Sequence, residues 1–140
     1  MNRKDTKVLL LPCSGIGKVH GLIGREAVYQ AVAQLGPVAD TMCLALVVSG
    51  DEDAVDAIRR HDCITIDGCP KLCSRKNLEL AGGRISQSIR VVDVFKEHKG
   101  VRPGTATELT DGGRQIAATL AQRLVDKVES LLAAEKGAQK

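Results

Sequence analysis

Two hydrophobic periods alternate along the chain. Val8-Leu9-Leu10-Leu11 is a continuous apolar run of strand length, the pattern of a strand covered on both faces. A glycine-bearing turn, Pro12-Cys13-Ser14-Gly15-Ile16-Gly17-Lys18, breaks it. Ile23, Ala27, Val28, Ala31, Val32 and Leu35 then recur at helical spacing and predict a helix over 23–35, ended by Gly36-Pro37. Residues 38–48 fit two readings. One is a single long strand ending at Ser49-Gly50; the other is a short strand ending near Cys43, followed by an apolar loop or helical turn. Residues 51–60 read as a helix with acids in the first turn and Arg59-Arg60 in the last, both suited to the helix dipole. Cys63-Ile64-Thr65-Ile66-Asp67 is β-branched and reads as a strand broken by Gly68-Cys69-Pro70. A helix is expected over 71–80, closed by Gly82-Gly83. A further strand lies within 85–95, best centred on 89–95. A polar connection over 96–113 leads to the longest helix, 115–132, with Ile116, Leu120, Leu124, Val128 and Leu131 on one stripe.

About four alternations of strand and helix predict an α/β fold: a single-domain, Rossmann-like three-layer sandwich with a mostly parallel sheet of about four strands. The 140 residues suit one domain, with residues 1–6 and 135–140 expected to be loose. In such sheets ligands sit outside the carboxyl ends of the strands, so the turns after each strand are where chemistry is sought.

Composition narrows the function. One Phe, one Tyr and no Trp leave Val, Leu, Ile and Ala to build the core, and remove the aromatic platforms on which single-stranded nucleic acid stacks. The net charge of +3 comes from dispersed basic residues with no long run, which weighs against a nucleic-acid partner. No stretch approaches the ~20 apolar residues of a membrane span, and the apolar run after the basic N-terminus is too short for a signal-peptide core. The chain therefore reads as cytoplasmic, where five cysteines point to metal or redox chemistry more than to disulfides. A protein partner and the oligomeric state are left open.

Cys13 and Cys69 each lie just past a predicted strand end, so neighbouring strands would aim both at one crevice. Cys73 follows Cys69 by four residues, the spacing of one helix face. The first helical turn also offers unpaired N–H groups that favour an anion. Cys43 joins them only if its strand is short; otherwise it lies roughly 20 Å away at ~3.3 Å per residue. The same ruler separates Cys63 from Cys69, so Cys63 reads as a small buried hydrophobe. Thiolates suit tetrahedral zinc, and four of them would leave a net charge of about −2. Lys18, Lys71, Arg75 and Lys76 are near in sequence and could offset it. Iron or an iron–sulfur cluster would use the same donors.

Cys63-Ile64-Thr65-Ile66-Asp67-Gly68-Cys69-Pro70-Lys71-Leu72-Cys73 resembles the central motif of the DGC-domain family of bacteria and archaea. The Pro12–Lys18 turn, Arg25-Glu26-Ala27, and Cys43 followed by Gly50-Asp51-Glu52 are similar to it as well. The resemblance spans roughly residues 8–94. It implies zinc chelated by four cysteines, which by position are Cys13, Cys43, Cys69 and Cys73, and it favours the short-strand reading of 38–48. It implies no reaction.

Three functions compete. The first is a metal-binding protein, structural or regulatory, or one that hands metal or sulfur to a partner. A closed four-cysteine site has no open position for hydrolysis. The second is a cysteine-dependent enzyme, because Cys69 and Arg75 fit the C-x5-R spacing of cysteine phosphatases and arsenate reductases, with Asp67 or Asp111 as acid. Pro70 and the missing loop glycines weaken that oxyanion cradle. The third is redox or persulfide transfer by Cys69 and Cys73. Gly15-Ile16-Gly17-Lys18 fits no nucleotide-binding motif, and its glycines read as needs of a tight turn beside Cys13. Asp67 has a structural alternative, hydrogen bonding to the turn backbone.

Overall fold

The computed structural model describes residues 6–13, 17–68 and 70–138. In chain order it has β1 (Val8–Pro12), α1 (Val19–Leu35), β2 (Ala39–Thr41), α2 (Leu44–Val48), α3 (Glu52–Arg60), β3 (Asp62–Asp67), α4 (Cys73–Leu80), β4 (Arg84–Arg90), α5 (Val91–Phe95) and α6 (Asp111–Ala138). The four strands form one all-parallel sheet in the order β2-β1-β3-β4. The α/β sandwich predicted from the alternation is the fold observed. The expectation of loose ends falls largely outside the described residues; Thr6 is itself buried and α6 continues to Ala138.

Strand alternation sorts the core into two layers. Val8, Leu10, Ile64 and Ile66 face α1, α5 and α6. Leu9, Leu11 and Cys63 face Met42, α2, α3 and Leu78 of α4. Both faces of β1 and β3 are therefore covered, which explains their continuous apolar runs.

The sheet order places the site. From β1 the chain moves outward through α1 to β2, then returns through α2 and α3 across β1 to β3. The direction of winding reverses between β1 and β3, and a crevice opens at the carboxyl ends of strands at such a reversal.

Two expectations about elements need correction. The strand centred on 89–95 is displaced: β4 runs Arg84–Arg90, and Val91–Phe95 is the short helix α5. As an edge strand β4 keeps a solvated side, so it reads as polar and mixed. The β-branched run after it buries Val91 and Val94, three residues apart, against α1 and α6. Residues 38–48 follow the short-strand reading: β2 has three residues and α2 follows. Boundaries moved elsewhere. Helix α1 starts at Val19 and not at residue 23, and α6 starts at Asp111 and not at 115. Helix α4 starts at Cys73 and not at 71.

Candidate metal centre

Cys13 immediately follows β1, and its backbone N–H donates to Ile66 O at 2.8 Å, extending the contact between β1 and β3. Its side chain is buried, and its Sγ accepts the Gly68 N–H at 3.2 Å. The sulfur is thus tied to the middle residue of Asp67-Gly68-Cys69. Gly68 has little room for anything larger. A Cβ there would stand 3.0 Å from Gly21 N and 3.2 Å from His20 Cβ, so the first turn of α1 rests directly on this loop.

Asp67, the last residue of β3, is 1% exposed. Its Oδ1 accepts from Ser74 N at 2.8 Å and its Oδ2 from Arg75 N at 3.2 Å. It therefore caps α4 from the end of the preceding strand, where the adjacent residue, Leu72, supplies no side-chain cap. Burial pushes the Asp67 carboxyl up, while the two N–H donors and the Arg75 charge pull it down. Ser74 Oγ donates to Leu11 O at 2.8 Å, pinning the same turn of α4 to β1. The structural alternative for Asp67 is what the geometry displays. The carboxylate binds the backbone of the helix that Cys73 opens.

Leu72, between Cys69 and Cys73, has φ 53°, in the left-handed region. It is the single non-glycine residue there among the described residues. For a bulky residue that conformation costs on the order of 1–2 kcal/mol, and such strain gathers at functional sites.

Cys43 stands at the N-cap of α2 and is exposed. Cys13 and Cys43 line one cavity of about 180 Å³ with Pro12, Arg25, Tyr29, Thr41, Met42 and Leu44. Cys73 is the exposed first residue of α4. Cys69 lies outside the described residues, so its distances to the other three are not part of the geometry. Among the described residues no three His, Cys, Asp or Glu side chains gather as a metal-holding group. Cys13 and Cys43 suit a thiophilic ion in kind: both are soft sulfur donors on one cavity, and one already accepts an N–H.

Cys63 is fully buried at the far end of β3, beside Leu9 and Ile85. Its Sγ donates to Ile58 O and His61 O at 3.4 Å each, and burial pushes the thiol up to about 12. It belongs to the core, as the distance ruler expected.

The cations differ from expectation. Lys18, Lys71 and Lys76 are exposed. Arg75 pairs with Glu79 at 3.0 Å and lines a different, polar cavity along β4. The cation on the Cys13–Cys43 cavity is Arg25, with Tyr29 four residues on. Sequence reading gave Arg25 no role, although the i, i+4 pairing of the chain's lone tyrosine with an arginine on a helix after β1 was a usable signal. Asp111 starts α6, fully exposed and paired with Arg114. Gly15 is outside the described residues. Gly17 lies in a turn, but a Cβ there would meet nothing within 4 Å and its φ is not positive, so neither space nor backbone conformation requires glycine at that position. His20 stacks on Phe95 at 4.3 Å, and burial and Lys18 hold its imidazole below the usual value.

No curated protein and no solved structure matches the chain. A family model described as the DGC domain matches residues 9–128, from the first strand well into α6, and on that match the chain belongs to the DGC-domain family.

Proposed function

We propose that this protein binds one zinc ion through Cys13, Cys43, Cys69 and Cys73 at the carboxyl edge of its sheet. The observation that carries the reading is the shared cavity of Cys13 and Cys43, residues from two neighbouring strand ends. Two backbone tethers support it. Gly68 N–H reaches Cys13 Sγ, and Asp67 holds the N-terminus of α4, so the loop carrying Cys69 is fastened to the elements carrying Cys13 and Cys73. Zinc would supply a cross-link between strand ends and a reservoir of bound thiolate. Four thiolates close the coordination sphere, so the role is structural, regulatory or one of metal or sulfur handling, and not hydrolysis. Reduced thiols suit the cytoplasm, and exposure of Cys43 and Cys73 suits exchange with a protein partner. Iron would use the same donors. The phosphatase-like reading loses support because Arg75 is paired along α4 with Glu79.

Site-resolved alkylation tests this. With zinc added to the reduced protein, Cys13, Cys43, Cys69 and Cys73 are protected together, and Cys63 is unreactive with or without metal. Protection of none of the four, or of a set containing Cys63, contradicts the reading.

A further inference from the structure

The helical layer formed by α2, α3 and α4 carries a groove of about 570 Å³, walled by the end of α2, one side of α3 and the end of α4. Two apolar side chains on its walls stand in water: Val48 is 61% exposed and Leu80 86%. One exposed apolar residue needs no explanation, but two on a single hollow mark a contact surface. Helix α3 contributes a stripe, because Glu52, Val55, Asp56 and Arg59 recur at helical spacing and line the groove together. Asp56 pairs with Arg60 at 2.8 Å, and Arg59 gives its Nε–H to Ala81 O at 2.8 Å. Among the described residues Glu52 and Arg59 form no ion pair. The stripe is thus acidic at one end, apolar in its middle and basic at the other end. A partner of a single charge sign meets a like charge somewhere on such a stripe. A second copy of the chain does not: a two-fold axis through the middle sets the two stripes antiparallel and brings each free acid to a free base. The patch also holds both a projection, Leu80, and a hollow, as a contact between identical surfaces requires.

We propose that this groove is the interface of a homodimer: a second copy docks on it about a two-fold axis, with the two α3 helices antiparallel, Glu52 opposite the partner's Arg59, and Val48 and Leu80 covered. Such a dimer forms with or without zinc, because Cys13, Cys43 and Cys73 lie outside the groove.

Sedimentation equilibrium of the full chain, from low micromolar to near-millimolar concentration with reductant and chelator present, tests this. Those additives stop a disulfide or a shared metal ion from joining copies through the exposed Cys43 and Cys73. Wild type passes from monomer to dimer and goes no further, since a two-fold contact closes. Leu80→Glu raises the dimer dissociation constant by roughly tenfold or more, the scale of a lost apolar anchor. At 86% exposure Leu80 carries little of the monomer's stability, and circular dichroism confirms the fold of each variant. Ala118→Glu, exposed on α6 across the sheet, leaves the constant unchanged. Glu52→Arg and Arg59→Glu each weaken association, and the double variant regains most of it. A chain that stays monomeric overturns the proposal and leaves the groove to a different protein. A dimer indifferent to Leu80→Glu, association beyond the dimer, or a double variant as weak as its singles overturns it as well.

Discussion

Asp67 ends a strand and caps a helix that begins six residues later, with Cys69 in the span between. With 1% exposure and two N–H donors, its carboxylate replaces water that α4 would otherwise need at Ser74 and Arg75. Asp67→Ala should cost about 1–3 kcal/mol in urea unfolding, with Asp67→Asn costing less because one acceptor oxygen survives. Equal stability of Asp67→Ala and wild type would show that the cap is not a stabilising contact. Cys63 makes a prediction of the opposite kind. Its folded thiol is held up to about 12, whereas an unfolded thiol ionises near about 8.5. The neutral buried thiol therefore contributes fully below that lower value and progressively less as pH rises toward the upper one. Between about pH 7 and about pH 10, wild type should lose stability that Cys63→Ala does not lose. Parallel pH profiles would contradict this. At this scale the position of Cys13 was legible, since it follows from where a strand ends; Cys73 was expected inside a helix from 71 at helix-face spacing from Cys69, whereas it is the residue that opens α4. Arg25 was not legible, because its place on the cavity depends on how α1 crosses the ends of β1 and β2, which no local pattern encodes.

The elements divide by how strongly each announces itself. Strands β1 and β3, each buried at all but one residue, and α1 and α3, with their periodic stripes and terminal signals, were legible apart from shifted boundaries. Strand β4 and α5 were not. An edge strand with Arg84, Ser86, Ser88 and Arg90 carries little apolar signal, and the Val91–Phe95 run has strand-like residues that pack at helical spacing. Truncating Val91 or Val94 to Ala should therefore unfold more than the strand edge alone. Each variant should lose about 1–3 kcal/mol in urea, with the loss shared by α1 and α6. The seat of α1 on the Asp-Gly-Cys loop is tested by Gly68→Ala. A methyl at 3.0 Å from Gly21 N forces the helix or loop to shift, so the variant should lose roughly 1–3 kcal/mol and also bind zinc less tightly. Full stability with unchanged binding would mean that the approach relaxes without consequence.

Across the whole molecule, the sheet order β2-β1-β3-β4 brings three turns with cysteines to one edge and leaves Cys63 in the core near the other. The sequence pattern carried the parallel sheet. It could not order the strands, because strand order is set by crossovers and not by any one segment; periodicity alone left Cys43 between two readings, of which the family resemblance favoured the short strand that β2 is. The described residues include no helix long and apolar enough to cross a membrane. Thiol reactivity should follow burial in the metal-free chain: Cys43 and Cys73 alkylate quickly, Cys13 slowly, and Cys63 at the rate of global unfolding. The most direct test of the central claim is elemental analysis of untagged protein purified anaerobically, beside Cys13→Ser and Cys69→Ser. The account predicts about one zinc per chain, lost in both variants. Protein without metal whose cysteine is reactive at neutral pH would contradict it and point to cysteine-based transfer chemistry instead.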